Sequence, residues 1–245
     1  MKSLIVLPSY NESQNIVKLI DAILEISENF HVILVDDNSP DKTFNIVQDF
    51  KTSSEERKAS RINLILRSTK DGRGGAVWDG LRWGINNKDE GFESYVEMDC
   101  DFSHHPKYLA RGVELIHKGN DAVLASRYPG GKTIGWPIRR VILSFVSNLI
   151  CRIMIKWHIG DYTNGYRFYS KKSVEVLLQS NMIHKGYINL SESLAILLKN
   201  NSQIKSFPIT FINRQEGTSN TDLRELANSF LAIFQISFRF WFGKK

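Results

Sequence analysis

Through the first 128 residues, short uninterrupted apolar runs alternate with amphipathic stretches, and no other feature restricts the fold of this chain so severely. Residues 3–8 (SLIVLP) and 30–37 (FHVILVDD) are too short for buried helices and lack polar alternation. That pattern is expected of strands covered on both faces of a parallel sheet. Between them, residues 9–26 place Ile16, Leu19, Ile20, Ile23 and Leu24 on one helical stripe. Further strands are expected at 62–67 (INLILR), 94–101 (SYVEMDCD) and 121–128 (DAVLASRY). Helices are expected near 42–50, entered through Asp41, from near Gly75, and from Pro106 to Lys118. Five strands alternating with helices define an α/β fold with a doubly wound, mainly parallel sheet and flanking helices.

After Arg127 the rhythm changes. A Gly/Pro loop (YPGGKTIGWP) leads into an apolar helix at 138–157 carrying Arg139, Arg140, Arg152 and Lys156. A later strand is expected at 204–214 (IKSFPITFINR). The last segment puts Leu223, Leu226, Ala227, Phe230, Leu231, Phe234, Phe238, Trp241 and Phe242 on one stripe and ends in Lys244 and Lys245. Its length approaches bilayer thickness, but Arg224, Glu225, Gln235 and Arg239 argue for a helix lying in a membrane interface or folded back on the core. The expected organisation is one catalytic domain over 1–222 and an amphipathic helix over 223–245.

Composition narrows the class without choosing a function. Hydrophobic residues at 42% and charged residues at 24% exclude disordered and collagen-like chains. The net charge of +6 suits anionic partners such as nucleotide phosphates or lipid headgroups. Two cysteines, Cys100 and Cys151, form no disulfide or zinc framework, which fits a reducing, cytoplasmic compartment. The N-terminal apolar stretch is too short for a signal peptide, and no run reaches the roughly 18 apolar residues of a spanning helix.

Ligand sites in open α/β sheets gather at the carboxyl ends of strands. Here those ends carry Pro8, Tyr10 and Glu12; Asp36 and Asp37; Arg67; Asp99 and Asp101; and Arg127. Carboxylates at successive strand ends repel one another unless a cation or donor compensates them. Asp99 and Asp101, spaced i and i+2 in the extended backbone expected there, face the same side and can share one Mg²⁺ or Mn²⁺ whose shell is completed by water and phosphates. His104 and His105 are read as a loop into the next helix, with a metal-ligand role as the alternative. Asp36 and Asp37 suit a nucleobase N–H or a helix cap, and the DGRGGA loop matches no phosphate-loop pattern.

Taken together, LPSYNESQNI, ILVDDNSPDKT, RSTKDGRGGAVWDG, MDCDFSHHP, SRYPGGKTIGWPIRR, DYTNGYR, the Gly186-Tyr187 pair and NRQEGTSN resemble the family 2 inverting glycosyltransferases of glycosyltransferase-A fold. Within that family they are most similar to the dolichyl-phosphate (polyprenyl-phosphate) mannose synthases. The stretches run in family order from residue 4 to about 220. The resemblance implies that Pro8, Tyr10, Glu12, Asp36 and Asp37 hold the nucleoside, with Arg67 and Ser103 at the donor site, and that Asp99 and Asp101 bind Mg²⁺ or Mn²⁺ on its diphosphate. Asp101, Arg127, Arg140 and Arg214 form the implied catalytic set, the arginines meeting donor and acceptor phosphates; Arg139 replaces Arg140 if the register slips by one. Ser219-Asn220 stands where the family usually has Ser-Lys, and the Asp161 to Gly165 stretch also departs from the common pattern.

The implied reaction is inverting transfer of a hexose, with mannose from GDP-mannose favoured, to polyprenyl phosphate on the cytosolic membrane face. A phosphate monoester has a second pKa of about 6, so the acceptor needs positioning by cations and no general base. Arg127, Arg139, Arg140, Arg167 and Arg214 supply cations, whereas Asp161 and Glu192 are the candidate bases if the acceptor is a hydroxyl or, alternatively, partners of arginines. The Gln-x-x-Arg-Trp motif of processive polysaccharide synthases is absent from the sequence. The competing readings are transfer from a UDP-sugar to a saccharide hydroxyl, and a non-catalytic nucleotide-binding module recruited to membranes. No nucleic acid is expected as a partner; a membrane subunit or a second copy of the chain is.

Overall fold

The structure is a computed structural model and describes residues 1–213 and 223–243. Seven strands form the main sheet in the order β3-β2-β1-β4-β7-β5-β8. β1 (Ser3–Ser9), β2 (Phe30–Asp36), β3 (Ile62–Leu66) and β4 (Ser94–Glu97) are parallel to one another. β5 (Ala122–Ser126) runs parallel to β8 (Ile204–Pro208). Between β4 and β5 lies β7 (Arg167–Ser170), antiparallel to both. A second sheet pairs β6 (Lys132–Ile134) with β9 (Thr210–Ile212).

Helices cover both faces of the main sheet, which explains its continuous apolar runs. Successive residues of β1 divide between the faces: Ile5 and Leu7 join Ile16, Leu19 and Ile20 of α1 (Ile16–Ile26) and Leu109 and Val113 of α5 (Leu109–His117). Leu4 and Val6 join Ala76, Val77 and Leu81 of α4 (Gly72–Asn86) and Val174 and Leu177 of α7 (Lys171–Gln179). α4 is rich in glycine, a poor helix former. Its backbone lies so close to the sheet that a Cβ on Gly80 would stand 2.4 Å from Val6 Cγ1, and one on Gly84 2.4 Å from Leu4 Cδ2. Tertiary contact at these positions therefore outweighs helix propensity.

A third apolar cluster unites Leu124 with Cys151 of α6 (Ile138–Met154), Leu194 of α8 (Asn189–Lys199) and Ile233 and Ile236 of α9 (Leu223–Phe242). α9 thus folds back on the body through one face, and Ser237 Oγ and Trp241 Nε1 both donate to Met154 O. Its opposite face exposes Leu231, Phe234, Phe238, Trp241 and Phe242. The side chains of 223–230, on which part of the expected stripe falls, lie outside the described residues.

Several sequence expectations need correction. β4 ends at Glu97, so Asp99 and Asp101 stand in a loop and the strand-based same-face argument does not apply. α4 begins at Gly72, three residues before the expected start, and residues 204–214 yield two strands in different sheets, β8 and β9. α6 ends at Met154 rather than residue 157. β7, α7 and α8 were not anticipated: β7 is four residues long and opens on an arginine, which masks it as a buried strand.

Candidate active site

The rim begins where β1 and β2 end. Asp36 has 0% exposure, and its carboxylate accepts from Ser9 Oγ (2.6 Å), Ser39 N (2.8 Å) and Ser39 Oγ (2.6 Å). Such a satisfied carboxylate braces the loop and has no surface to offer a nucleoside. Asp37, its neighbour, pairs with Arg67 Nη1, and burial raises its pKa against the lowering effect of that guanidinium. Arg67 also holds Asp79 (Nε to Oδ2, 2.9 Å) and Asp71 (3.6 Å), so one guanidinium just past β3 collects three carboxylates. Lys70 Nζ sits 3.7 Å from the centre of the Tyr10 ring, capping the aromatic beside this corner. Pro8 O accepts from Cys100 Sγ, and Glu12 N donates to Thr43 Oγ1, which ties the β1 loop to the start of α2 (Thr43–Ser53).

The loop beyond β4 is organised by groups that the sequence reading passed over. Arg73, in the first turn of α4, donates from Nε to Asp99 Oδ1 (2.7 Å), from Nη1 to Glu97 Oε2 (3.0 Å) and from Nη2 to Gly165 O (3.1 Å). Burial would lower its pKa, but Asp99 and Glu97 raise it further, so it stays charged. Glu97 Oε1 accepts from Tyr169 Oη at 2.7 Å. A carboxylate at the end of a buried strand requires a cation, and DGRGGA contains that cation; this was the available signal.

His104 is 1% exposed and its pKa is lowered chiefly by burial, so the ring is neutral. Its Nδ1 accepts from Asp99 N (2.9 Å), which leaves the proton on Nε2 to donate to Asn164 Oδ1 (2.9 Å). The ring stacks on Tyr166 at 5.0 Å between centroids. With both nitrogens used, His104 fixes the aspartate loop and is not a metal ligand in this arrangement. Asn164 Nδ2 continues the chain to Ala125 O (2.5 Å) at the end of β5. Asp101, 7% exposed, accepts on Oδ1 from Ser103 N (3.1 Å) and Ser103 Oγ (2.6 Å), a turn that gives Ser103 a supporting place.

Past β5, Arg127 grips Asp161 through Nε (2.9 Å) and Nη2 (2.8 Å) and reaches Thr163 Oγ1 (2.7 Å). Burial works against both charges, yet their mutual attraction keeps Arg127 above and Asp161 below the usual ranges. The Trp136 ring lies between two guanidinium groups, 4.1 Å from Arg140 and 5.2 Å from Arg127, and meets Phe211 edge-on. Arg140 Nη1 also donates to Asn213 Oδ1 (3.0 Å), while Arg139 is exposed on the first turn of α6. Arg167 is corrected from a phosphate ligand to a strut: it has 0% exposure and donates to Asn164 O, Leu190 O, Tyr162 O and Ser193 Oγ. Arg214 lies outside the described residues.

Asp99 and Asp101 offer the hard oxygens that Mg²⁺ and Mn²⁺ favour. No group of three or more His, Cys, Asp or Glu able to enclose a metal occurs among the described residues. The donor set therefore fits an ion that takes its remaining ligands from phosphates and water, not a closed protein cage.

A mainly parallel sheet with an aspartate pair past β4, backed by arginines past β5 and on α6, defines a glycosyltransferase of glycosyltransferase-A fold. A family model described as glycosyl transferase family 2 matches residues 4–178, and the chain belongs to that family. Among curated relatives, it is 32% identical over 219 residues to a polyprenol monophosphomannose synthase of Mycolicibacterium smegmatis, covering 89% of this chain and 80% of that one. It is 33% identical over 222 residues to an undecaprenyl-phosphate mannosyltransferase of Micrococcus luteus, covering 89% and 87%. Among solved structures, glucosyl-3-phosphoglycerate synthase of Mycobacterium tuberculosis, crystallised with Mn²⁺, UDP and glucosyl-3-phosphoglycerate, superposes with a TM-score of 0.66 at 19% identity over 98% of this chain and 79% of that one. That likeness confirms the fold.

Proposed function

We propose that this glycosyltransferase moves mannose from GDP-mannose to polyprenyl phosphate, with inversion, on the cytosolic membrane face. The observation that carries the reading is the condition of the candidate bases. Asp161 is locked to Arg127, and Glu192 accepts from His184 and Arg239, so neither is placed to take a proton from a sugar hydroxyl. A dianionic phosphate needs no such base, and the mannosyltransferase relatives at 32% and 33% identity support this acceptor class.

In this reading Tyr10, Pro8, Glu12 and the Asp37–Arg67 pair border the nucleoside, and Asp36 holds their loop. Asp99 and Asp101 would hold Mg²⁺ or Mn²⁺, which supplies positive charge to the departing diphosphate. Arg140, with Arg139 near it on α6 and Trp136 beneath its guanidinium, orients the acceptor phosphate. Arg127 supports that corner from its salt bridge with Asp161. An acceptor phosphate oxygen attacks the anomeric carbon from the face opposite the leaving group. The bond from that carbon to the β-phosphate oxygen breaks, and the nucleoside diphosphate leaves with the electron pair.

No helix among the described residues is long and apolar enough to cross a membrane. α6 nevertheless exposes Ile138, Ile142, Phe145 and Ile153, and α9 exposes Leu231, Phe234, Phe238, Trp241 and Phe242. Arg139, Arg152 and Lys156 border these faces, with Arg152 stacked on Trp157 and Lys156 near Trp241. An apolar face rimmed by basic residues matches an anionic lipid surface, from which the polyprenyl chain reaches the site. The test is incubation of pure protein and Mn²⁺ with labelled GDP-mannose or UDP-sugars, supplying short-chain polyprenyl phosphate or a saccharide. Mannosyl phosphoprenol is expected; product with the saccharide alone overturns the reading.

A further inference from the structure

Glu192 is a buried carboxylate, its side chain 3% exposed, at the start of α8. It gathers donors from two separate parts of the chain. From the 181–188 loop it accepts Ile183 N (3.1 Å), His184 N (2.9 Å) and His184 Nδ1 (3.0 Å). From α9 it accepts Arg239 Nη1 (2.8 Å), and the same guanidinium donates through Nη2 to Asn181 O (2.6 Å). Arg239 therefore fastens α9 to the loop at both a side chain and a main-chain carbonyl, a geometry that a planar two-armed cation can satisfy.

The far end of that loop rests on the catalytic rim. Lys185 O accepts from Gly74 N (2.8 Å), and Lys185 Nζ pairs with Asp71 (2.6 Å). Gly74 adjoins Arg73, which holds Asp99 and Glu97; Asp71 is one of the carboxylates around Arg67. A Cβ on Gly74 would stand 2.8 Å from Lys185 O, so the loop lies directly on the first turn of α4. Beside this contact a cleft of about 310 Å³, lined by Arg67, Trp78, Asp79, Met182 and His184, separates loop from helix. Polar fastenings, rather than close packing along its whole length, fix the loop here.

We infer that the Arg239–Glu192 pair is a positioning link through which docking of α9 on a lipid surface sets the 181–188 loop against the α4 turn that holds the aspartate site. This rests on the reading of α9 as a membrane-facing helix. The outward face of α9 and Arg239 belong to one rigid element, so a lipid that orients Phe238 and Trp241 also orients the guanidinium between them in sequence. The link would make the enzyme most competent where its lipid-borne acceptor is.

The test is amide hydrogen exchange on the full chain, with and without vesicles of phosphatidylcholine and phosphatidylglycerol, alongside co-sedimentation. Vesicles are expected to slow exchange in segments 72–75 and 181–188 of the wild type by about fivefold or more, the scale of a modest coupling between sites. Arg239→Gln keeps a donor for Glu192 and sediments like the wild type, but shows no slowing; Arg239→Lys recovers part of it. Phe238→Ser with Phe242→Ser stays in the supernatant. Equal slowing in Arg239→Gln, or vesicle-bound wild type with unchanged exchange, overturns the link while leaving docking intact. Wild type that does not sediment removes the docking and the link together, and neither result touches the transfer assay.

Discussion

At the scale of single residues, the aspartate pair is built from unequal members. Asp99 is engaged by Arg73 and sits beside His104, whereas Asp101 turns one oxygen back to Ser103. Asp101→Asn preserves an Oδ1 that accepts from Ser103 N and Oγ, so its loop survives while the charge is lost. We expect kcat to fall on the order of a hundredfold or more with an unchanged melting profile, measured by transfer assay and circular dichroism. Turnover equal to wild type would remove the Asp101 charge from the catalytic set and from the metal site. Asp99, Asp101 and Arg127 were legible as site candidates because charge at strand ends needs a reason, whereas Arg140, on α6, was reached through the family resemblance. Asp161 was legible as an arginine's alternative partner, but Asn164, which meets His104 across 60 residues, and Thr163, which meets Arg127 across 36, were not, because no local pattern encodes such a separation. Asp36 was legible as a rim carboxylate, but three short internal bonds, invisible in sequence, turn it into a brace.

At the scale of elements, period and length revealed β1, β2 and β3 almost to their ends, because burial on both faces demands continuous apolar runs; α1 was found with its C-terminal end, but it starts at Ile16 rather than at residue 9. β7 escaped because its role is set by pairing with β4 and β5, and its first side chain is a fully buried arginine whose donors are taken up by carbonyls and which has the Glu97 carboxylate 4.0 Å away. α4 gives a quantitative case. Replacing Gly80 with Ala gains about 1 kcal/mol of helix propensity but forces a methyl to 2.4 Å from Val6 Cγ1 on the central strand. Val6 is stiff at χ1 and buried, so the overpacking, typically about 1–3 kcal/mol, outweighs the gain. Gly80→Ala is expected to lower the urea midpoint without changing the slope; a raised midpoint would show that α4 can shift.

At the scale of the whole molecule, acid stability has an identifiable contributor far from the rim. His31, 7% exposed in β2, leaves Nδ1 without a hydrogen-bond partner and packs edge-on against Phe92; burial, aided by Lys2, lowers its pKa to about 4. The unfolded chain binds a proton near the ordinary value of about 6.5 while the folded one does not. This contribution is therefore complete above about 6.5, declines as pH falls, and is lost once pH has passed through about 4. His31→Phe keeps the ring and removes the titration. Urea midpoints should fall less for the variant than for wild type between those limits; parallel profiles would refute the assignment.

The antiparallel strand β7 also constrains how such an enzyme can be rearranged in evolution. It enters the sheet only after β5 has been synthesised, yet it alone joins β5 to β4. The loop that precedes it delivers Asp161 to Arg127, Asn164 to His104 and Gly165 to Arg73. A genetic crossover between the β3-β2-β1-β4 part of the sheet and the β5-β8 part would therefore have to respect one four-residue seam shared by both.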